Sequence, residues 1–343
     1  MTKALVCAQL GSPVAPVGAA GSALQLQHVP SAACQPKSVR LRVVAAALNF
    51  ADALIVQGKY QEKPTLPFIP GGEVSGVVTE VGSNVKTLSV GDSVVAVLVA
   101  YGGFATEVVV RAADCTRVTP TPLFTLEQAA ALPVAYGTAH VALKHRCSLL
   151  PGQTVLVLGA AGGVGLAAVQ LGRLLGARVI AVARGTVKCA ALREEGADLV
   201  IDSSSLDKHG LRGPVSAFAP RGVDVLFDAV GGDLFKDAMR TLGWGARVAI
   251  IGFASGSIPS LAANVLLVKN VTVHGIYWGS YAKHDPATLR DSLRQLLGWA
   301  SEGRLRVRIH AALPLEQAHL AFGALLERRA IGKVILLPSS PKL

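Results

Sequence analysis

Two hydrophobic periods divide this chain. Over the first 120 residues or so, short apolar runs alternate with turn residues. Runs at 4–8 and 39–46 are bounded by Gly, Pro and Ser. From 73 to 81 the sequence Glu-Val-Ser-Gly-Val-Val-Thr-Glu-Val sets valine against small or polar positions, until Gly82-Ser-Asn84 stops it. Gly91-Asp92 is a further turn, with a strand expected over 93–100. This pattern predicts an irregular, barrel-like β region with few helices.

Beyond about residue 125 the pattern becomes helical and then alternates. Helices are expected over 126–132 and 139–145. Strands at 154–158, 178–183, 198–202, 223–229, 247–251 and 271–277 are separated by helices at 164–175, 187–195 and 234–242. Strands alternating with helices of this length imply right-handed crossovers and a parallel, doubly wound sheet. Two helices, near 288–301 and 315–327, precede a last strand at 333–337. That strand can return to the β-rich part. The expected organisation is therefore a discontinuous β-rich domain, 1–128 with 284–343, around a nucleotide-binding domain, 129–283.

Composition narrows the class. Hydrophobic residues make up 51% of the 343 and charged residues 16%, as in a compact globular protein. Between Arg146 and Arg173 no charged residue occurs, a stretch long enough to cross a bilayer. Pro151 and glycines, among them Gly152, Gly159, Gly162, Gly163 and Gly165, interrupt it, so it reads as strand, turn and helix buried in protein, and no membrane span is expected. The net charge is +11, but aromatics are only 5%, which argues against a nucleic-acid groove interleaving bases with rings. Five scattered cysteines without CxxC spacing suit reduced thiols, and the amino terminus enters a strand without a targeting pattern. A cytoplasmic location is expected.

The strongest local signal is Leu158-Gly-Ala-Ala-Gly-Gly-Val-Gly-Leu166, a glycine-rich turn from strand to helix. Ala160, Gly162 and Gly165 fall on a GxGxxG-like template, with Gly163 and Val164 between them. Gly162 would let the backbone approach a pyrophosphate, Gly165 would let the helix pack on its strand, and free N–H groups would hold phosphate. After the next strand an NAD site would carry an acid; here stand Arg184 and Lys188. Two cations suit the 2′-phosphate of NADPH, although Lys188 reads equally well as a solvated helix residue.

Together these residues resemble the zinc-free quinone oxidoreductase/zeta-crystallin branch of the medium-chain dehydrogenase/reductase superfamily. The resemblance rests on Gly152-Gln and Ala160-Ala-Gly-Gly with Gly165, Gln170 and Arg173, on Ala47-Leu-Asn-Phe-Ala-Asp52, and on Gln57-Gly-Lys-Tyr60. Pro67-Phe-Ile-Pro-Gly-Gly-Glu-Val-Ser-Gly76 and Ile331-Gly-Lys-Val-Ile-Leu336 extend it over the whole chain. It implies a GroES-like catalytic domain, a Rossmann domain, homodimers and hydride transfer to a small conjugated carbonyl compound. Asn49 and Gly72 stand where zinc-dependent relatives place Cys and His ligands, so no metal is expected. The resemblance further implies that Asn49 and Tyr60 hold the acceptor. Asn49 with Asp52 could equally brace a loop, and Tyr60 could be only a wall. By the same resemblance Thr138, Gly252, Phe253 and Arg329 meet the cofactor, while Ser203 replaces a tyrosine of several relatives. Trp278 and Tyr281 have three readings: acceptor pocket, core packing or a dimer contact. A 2-enoyl-thioester or alkenal reductase, and a non-catalytic NADPH-binding protein of crystallin or RNA-binding type, remain as alternatives.

Overall fold

The computed structural model describes residues 1–338, which fall into two compact units. Met1–Val134 and the chain from Leu293 onward form one; Ala135–Ser292 form the other. In the first, β1 (Thr2–Cys7) and β2 (Leu24–Val29) make an antiparallel ribbon. β3 (Ser38–Leu48) is the axis of a larger sheet, and β4 (Glu73–Val81) lies antiparallel beside it. β5 (Ser93–Val97) extends that edge, β6 (Glu107–Arg111) pairs with β3, and β7 (Cys115–Arg117) pairs with β5. Along β3 Val39, Leu41 and Val43 are buried, whereas Arg42 is exposed, which is the two-residue period of a strand with one covered face.

A helix that the alternating pattern did not announce, α1 (Phe50–Val56), follows β3 directly. Its end is a left-handed stop at Gly58, φ +69°: Lys59 N–H donates to Leu54 O and Gly58 N–H to Ile55 O. This pairing satisfies the last carbonyls and turns the chain sharply into Tyr60. The 126–132 expectation is a shorter helix, α2 (Leu126–Ala130), opened by Thr125 accepting from Gln128 N–H.

The second unit begins within α3 (Pro133–His140), which runs into a π-helical turn, Val141–Arg146. Six parallel strands follow: β8 (Thr154–Leu158), β9 (Arg178–Ala183), β10 (Leu199–Asp202), β11 (Val223–Asp228), β12 (Leu242–Ile250) and β13 (Thr272–Gly275). Their order in the sheet is β10-β9-β8-β11-β12-β13, the doubly wound order in which the first strand sits at the reversal point. β8 is buried at all five residues, as a strand covered on both faces must be. Helix α4 (Gly163–Leu174) crosses from β8 to β9, and α5 (Thr186–Glu194) from β9 to β10. A Cβ on Gly172 would lie 2.9 Å from Val179 Cγ2, so glycine permits that helix to lie close on the sheet. The charge-free stretch from 147 to 172 is thus loop, β8 and most of α4. Among the described residues no helix is long and apolar enough to cross a membrane.

The chain then returns to the first unit. β14 (Ile309–Pro314) lies parallel to β15 (Lys333–Leu337), and β15 pairs antiparallel with β3. The resulting sheet order is β14-β15-β3-β4-β5-β7. One core gathers Leu5, Leu41, Phe104, Phe322 and Leu336 beneath it. The register sets Val334 opposite Leu48 and Ala46 opposite Val74. Three adjacent strand ends therefore converge: the last residue of β3, the first of β4 and the first of β15.

Candidate functional site

At those strand ends lies a buried polar cluster. Lys333, which opens β15, is 4% exposed, and Glu73, which opens β4, is 0% exposed. The Lys333 ammonium donates to Glu73 Oε1 at 2.9 Å, Asn49 Oδ1 at 2.7 Å and Leu48 O at 2.9 Å. Asn49 Nδ2 donates to the same Glu73 Oε1 at 2.8 Å, and Val134 N–H donates to Oε2 at 2.8 Å. Every atom of the pair thus has a partner, the condition under which a buried ion pair is tolerated.

Asp52 completes the arrangement from inside α1. It is buried, and its carboxylate accepts from Asn49 N–H at 2.8 Å, holding the residue that precedes the helix. Burial pushes the Asp52 carboxyl up to about 7, against the opposing pull of the Asn49 N–H and the Lys333 charge. The loop-bracing reading of Asp52 is thereby given a geometry.

Tyr60, half-buried, follows the Gly58 stop. Across from it Tyr101 adopts a left-handed backbone, φ +62°, and gives its hydroxyl proton to Glu62. Burial, with the Glu62 contact, raises the Tyr101 phenol above its ordinary value, and Tyr60 adds to the effect. Sequence reasoning passed over both Glu62 and Tyr101.

Zinc does not suit this cluster. Asn49 is an amide and Gly72 has no side chain, so neither offers a thiolate or an imidazole. A cation, the Lys333 ammonium, already lies against Asn49 and Glu73. Among the described residues no three His, Cys, Asp or Glu side chains converge into a metal-holding set.

The second unit carries the phosphate loop. Gly159 takes φ +67° immediately after β8 and makes the turn, a role the template assigned to none of its glycines. A Cβ on Gly165 would lie 2.2 Å from Gly159 O, so that position must be glycine. A Cβ on Gly162 would meet only Gly159 O, at 3.6 Å, so its outer side is open. Helical geometry leaves the N–H groups of Gly163, Val164 and Gly165 without partners inside α4. A twelve-residue helix presenting such groups past an unencumbered glycine fits a pyrophosphate. Ala160 is buried, and its N–H is spent on Val182 O.

Arg184 is exposed at the end of β9, and Lys188 is half-buried one turn into α5. Beside them stands an acid, Asp202, at the end of β10. Its Oδ1 accepts from Gly185 N–H at 2.9 Å, Ser204 N–H at 2.9 Å and Ser204 Oγ at 2.6 Å. The Ser204 hydroxyl bond, then the two N–H bonds and the Arg184 charge, hold the Asp202 carboxyl below its usual range. Ser203, by contrast, gives its N–H to Ala183 O. Gly252 and Phe253 follow β12, in a loop tied to Ala229 O and Val230 O by the N–H groups of Ala254 and Ser255. Thr138 is buried on α3. Trp278 packs on Gly137, where a Cβ would fall 2.6 Å from its Nε1, and Tyr281 Oη accepts from Arg146 at 3.4 Å. Arg329 belongs to the first unit, not to that of the phosphate loop, and its Nε donates to Glu327 Oε2 at 2.7 Å.

Comparisons with known proteins agree with this layout. The model of the alcohol dehydrogenase GroES-like domain matches residues 35–120, and that of zinc-binding dehydrogenases matches residues 163–299. Quinone oxidoreductase-like protein 2 of Bos taurus is 39% identical over 97% of this chain and 92% of its own. Its Nematostella vectensis homolog is 43% identical over 87% of this chain and 81% of its own. The structure of Escherichia coli quinone oxidoreductase complexed with NADPH superposes with a TM-score of 0.86 at 26% identity, covering 98% of this chain and 100% of that one.

The Asp52 environment predicts a pH dependence. Its folded value lies above that of an unfolded aspartate, about 3.9, so the folded state holds the extra proton between the two. That stabilisation is complete below the unfolded value and is lost as pH rises through the folded one. Relative to Asp52→Asn, the natural protein should lose roughly 1.4 kcal/mol per pH unit between about pH 4 and 7. Urea unfolding of both proteins across that range checks it, and a constant difference between them would contradict it.

Proposed function

Because the chain belongs to the quinone oxidoreductase family of medium-chain dehydrogenases/reductases, we propose that it reduces a quinone or another small conjugated carbonyl compound with NADPH and without zinc. The observation that carries the reading is the Asn49 amide, held between a buried ammonium and a buried carboxylate where zinc-dependent relatives hold metal. Bound NADPH supplies hydride. What the protein must add is stabilisation of the acceptor oxygen, which becomes enolate-like or phenolate-like as the conjugated system takes up hydride. A hydrogen-bond donor meets that need without a metal. In this reading Asn49 donates from its amide, and Tyr60 donates or relays a proton to the same oxygen.

The cofactor assignment rests on the phosphate loop, with Gly163, Val164 and Gly165 offering N–H groups past Gly162. NADPH in the similar E. coli structure supports it. Arg184 and Lys188 are the groups for the 2′-phosphate, while Asp202 is occupied by three donors and so competes little with that phosphate. Thr138, Gly252 and Phe253 complete the cofactor set within the second unit, and Arg329 is assigned to the cofactor by the family resemblance alone. A homodimer accords with the single pairing of edge strand β13 and with exposed Leu267 and Val268 on the helix before it. Unpaired cysteines throughout the described residues accord with the cytoplasm.

An acceptor panel at fixed NADPH tests the reading. NADPH should be consumed with quinone and with a simple enone, and faster than with a long 2-enoyl thioester. NADPH consumption that never depends on an acceptor would overturn it. For the cofactor, each charge-assisted contact to the 2′-phosphate contributes roughly 1.5–3 kcal/mol, on the order of tenfold or more in affinity. Arg184→Ala combined with Lys188→Ala should weaken NADPH binding and leave NADH nearly untouched. Equal losses for both coenzymes would mean that neither side chain reads the phosphate.

A further inference from the structure

An asparagine amide presents an oxygen on one side and a nitrogen on the other, and in most proteins a half-turn about its last bond costs little. At Asn49 the half-turn is blocked from both sides. Oδ1 lies 2.7 Å from the Lys333 ammonium, and Nδ2 lies 2.8 Å from Glu73 Oε1. Reversal would set an NH2 group against an ammonium and a carbonyl oxygen against a carboxylate. Two charge-assisted hydrogen bonds would become two repulsive contacts. The flanking groups are themselves fixed: Glu73 Oε2 by Val134 N–H, the Asn49 backbone by Asp52. Lys333 has no freedom either, because its three hydrogens face Leu48 O, Asn49 Oδ1 and Glu73 Oε1.

We propose that Lys333 is a positioning residue for the reduction, its buried ammonium fixing the Asn49 amide so that the second N–H of Nδ2 is what an acceptor oxygen meets. The inference rests on the reading of Asn49 as donor to that oxygen. Lys333 touches no substrate in this scheme. Its charge acts through Asn49, and it occupies in electrostatic terms the place of a metal cation while exposing only an amide. An N–H donor bonds a developing oxyanion more strongly than a ground-state carbonyl, so an amide held this way assists the hydride step more than binding.

The test is a kinetic cycle with NADPH and an enone, read by single-turnover oxidation of NADPH. Lys333→Met alone strands the Glu73 carboxylate, so the informative variant is Lys333→Met with Glu73→Gln, which removes both charges together. Its hydride-transfer rate should fall roughly tenfold to a hundredfold, with KM for the enone and affinity for NADPH held within about twofold. Added to Asn49→Ala, the same pair of changes should cost nothing further, because both lesions act through one amide. A natural rate in the charge-free variant, or losses that multiply with those of Asn49→Ala, would overturn the proposal and leave the Asn49 reading standing. An Asn49→Ala enzyme as fast as the natural one would overturn both. Should the charge-free variant fail to fold, the natural protein supplies the answer by NMR. The chain has four asparagines, so a selective 15N label gives four side-chain amides. Asn49 should show one Nδ2 proton protected by Glu73 and the other exchanging with solvent; two freely exchanging protons would overturn the proposal.

Discussion

A lysine ammonium removed from water must have its three hydrogens taken, and the first unit of this chain is arranged to take those of Lys333. Its acceptors come from the end of β3, from the residue after it and from the start of β4. Leaving either charge of such a pair unpartnered costs about 3–5 kcal/mol, so the ends of three strands are tied to one register. A one-residue slip of β15 against β3 would turn Lys333 to the other face of the sheet. The same tie sets the start of α1, because Asn49 serves both as an acceptor for Lys333 and as the residue whose N–H is held by Asp52. Fold and candidate chemistry depend on one contact.

The second unit solves a different problem by a simpler device. Its parallel sheet buries β8 completely and delivers the chain to Gly159, whose left-handed turn opens α4 with free N–H groups. Gly165 is required by contact, Gly162 by what must come near it. Asp202 shows how an acid can stand near Arg184, the arginine proposed for the 2′-phosphate: its Oδ1 is engaged by three donors of the protein itself.

Much of this was legible in the sequence. Strands 73–81, 154–158, 178–183 and 333–337 coincide with β4, β8, β9 and β15, because a covered strand needs an unbroken or alternating apolar run. The parallel, doubly wound second unit and the β-rich first one were both readable. What escaped was non-local or short. α1 is seven residues long, about two turns, too short for a sustained amphipathic pattern, and β6 and β7 are short segments fixed by partners rather than pattern. β14 is not among the expected elements, and it is held by its pairing with β15. Lys333 and Glu73 appeared in the quoted motifs, but nothing local says that residues 260 apart share a proton. The one signal belongs to Lys333, a lone charge opening an otherwise apolar strand; β4 also carries Ser75, Thr79 and Glu80, so Glu73 does not stand out. Asp202 was placed at a strand end, yet only the sheet order brings it to Gly185.

In the proposed reaction an oriented amide, Asn49, backed by the buried Lys333 ammonium, activates the acceptor in place of a metal. The most direct measurement is single-turnover reduction of an enone by protein dialysed against chelator, with bound metal counted by mass spectrometry on the same sample. The expected result is a rate unchanged by chelation and far less than one zinc per chain. Loss of the hydride step on chelation, with recovery on adding back one equivalent of zinc, would contradict it.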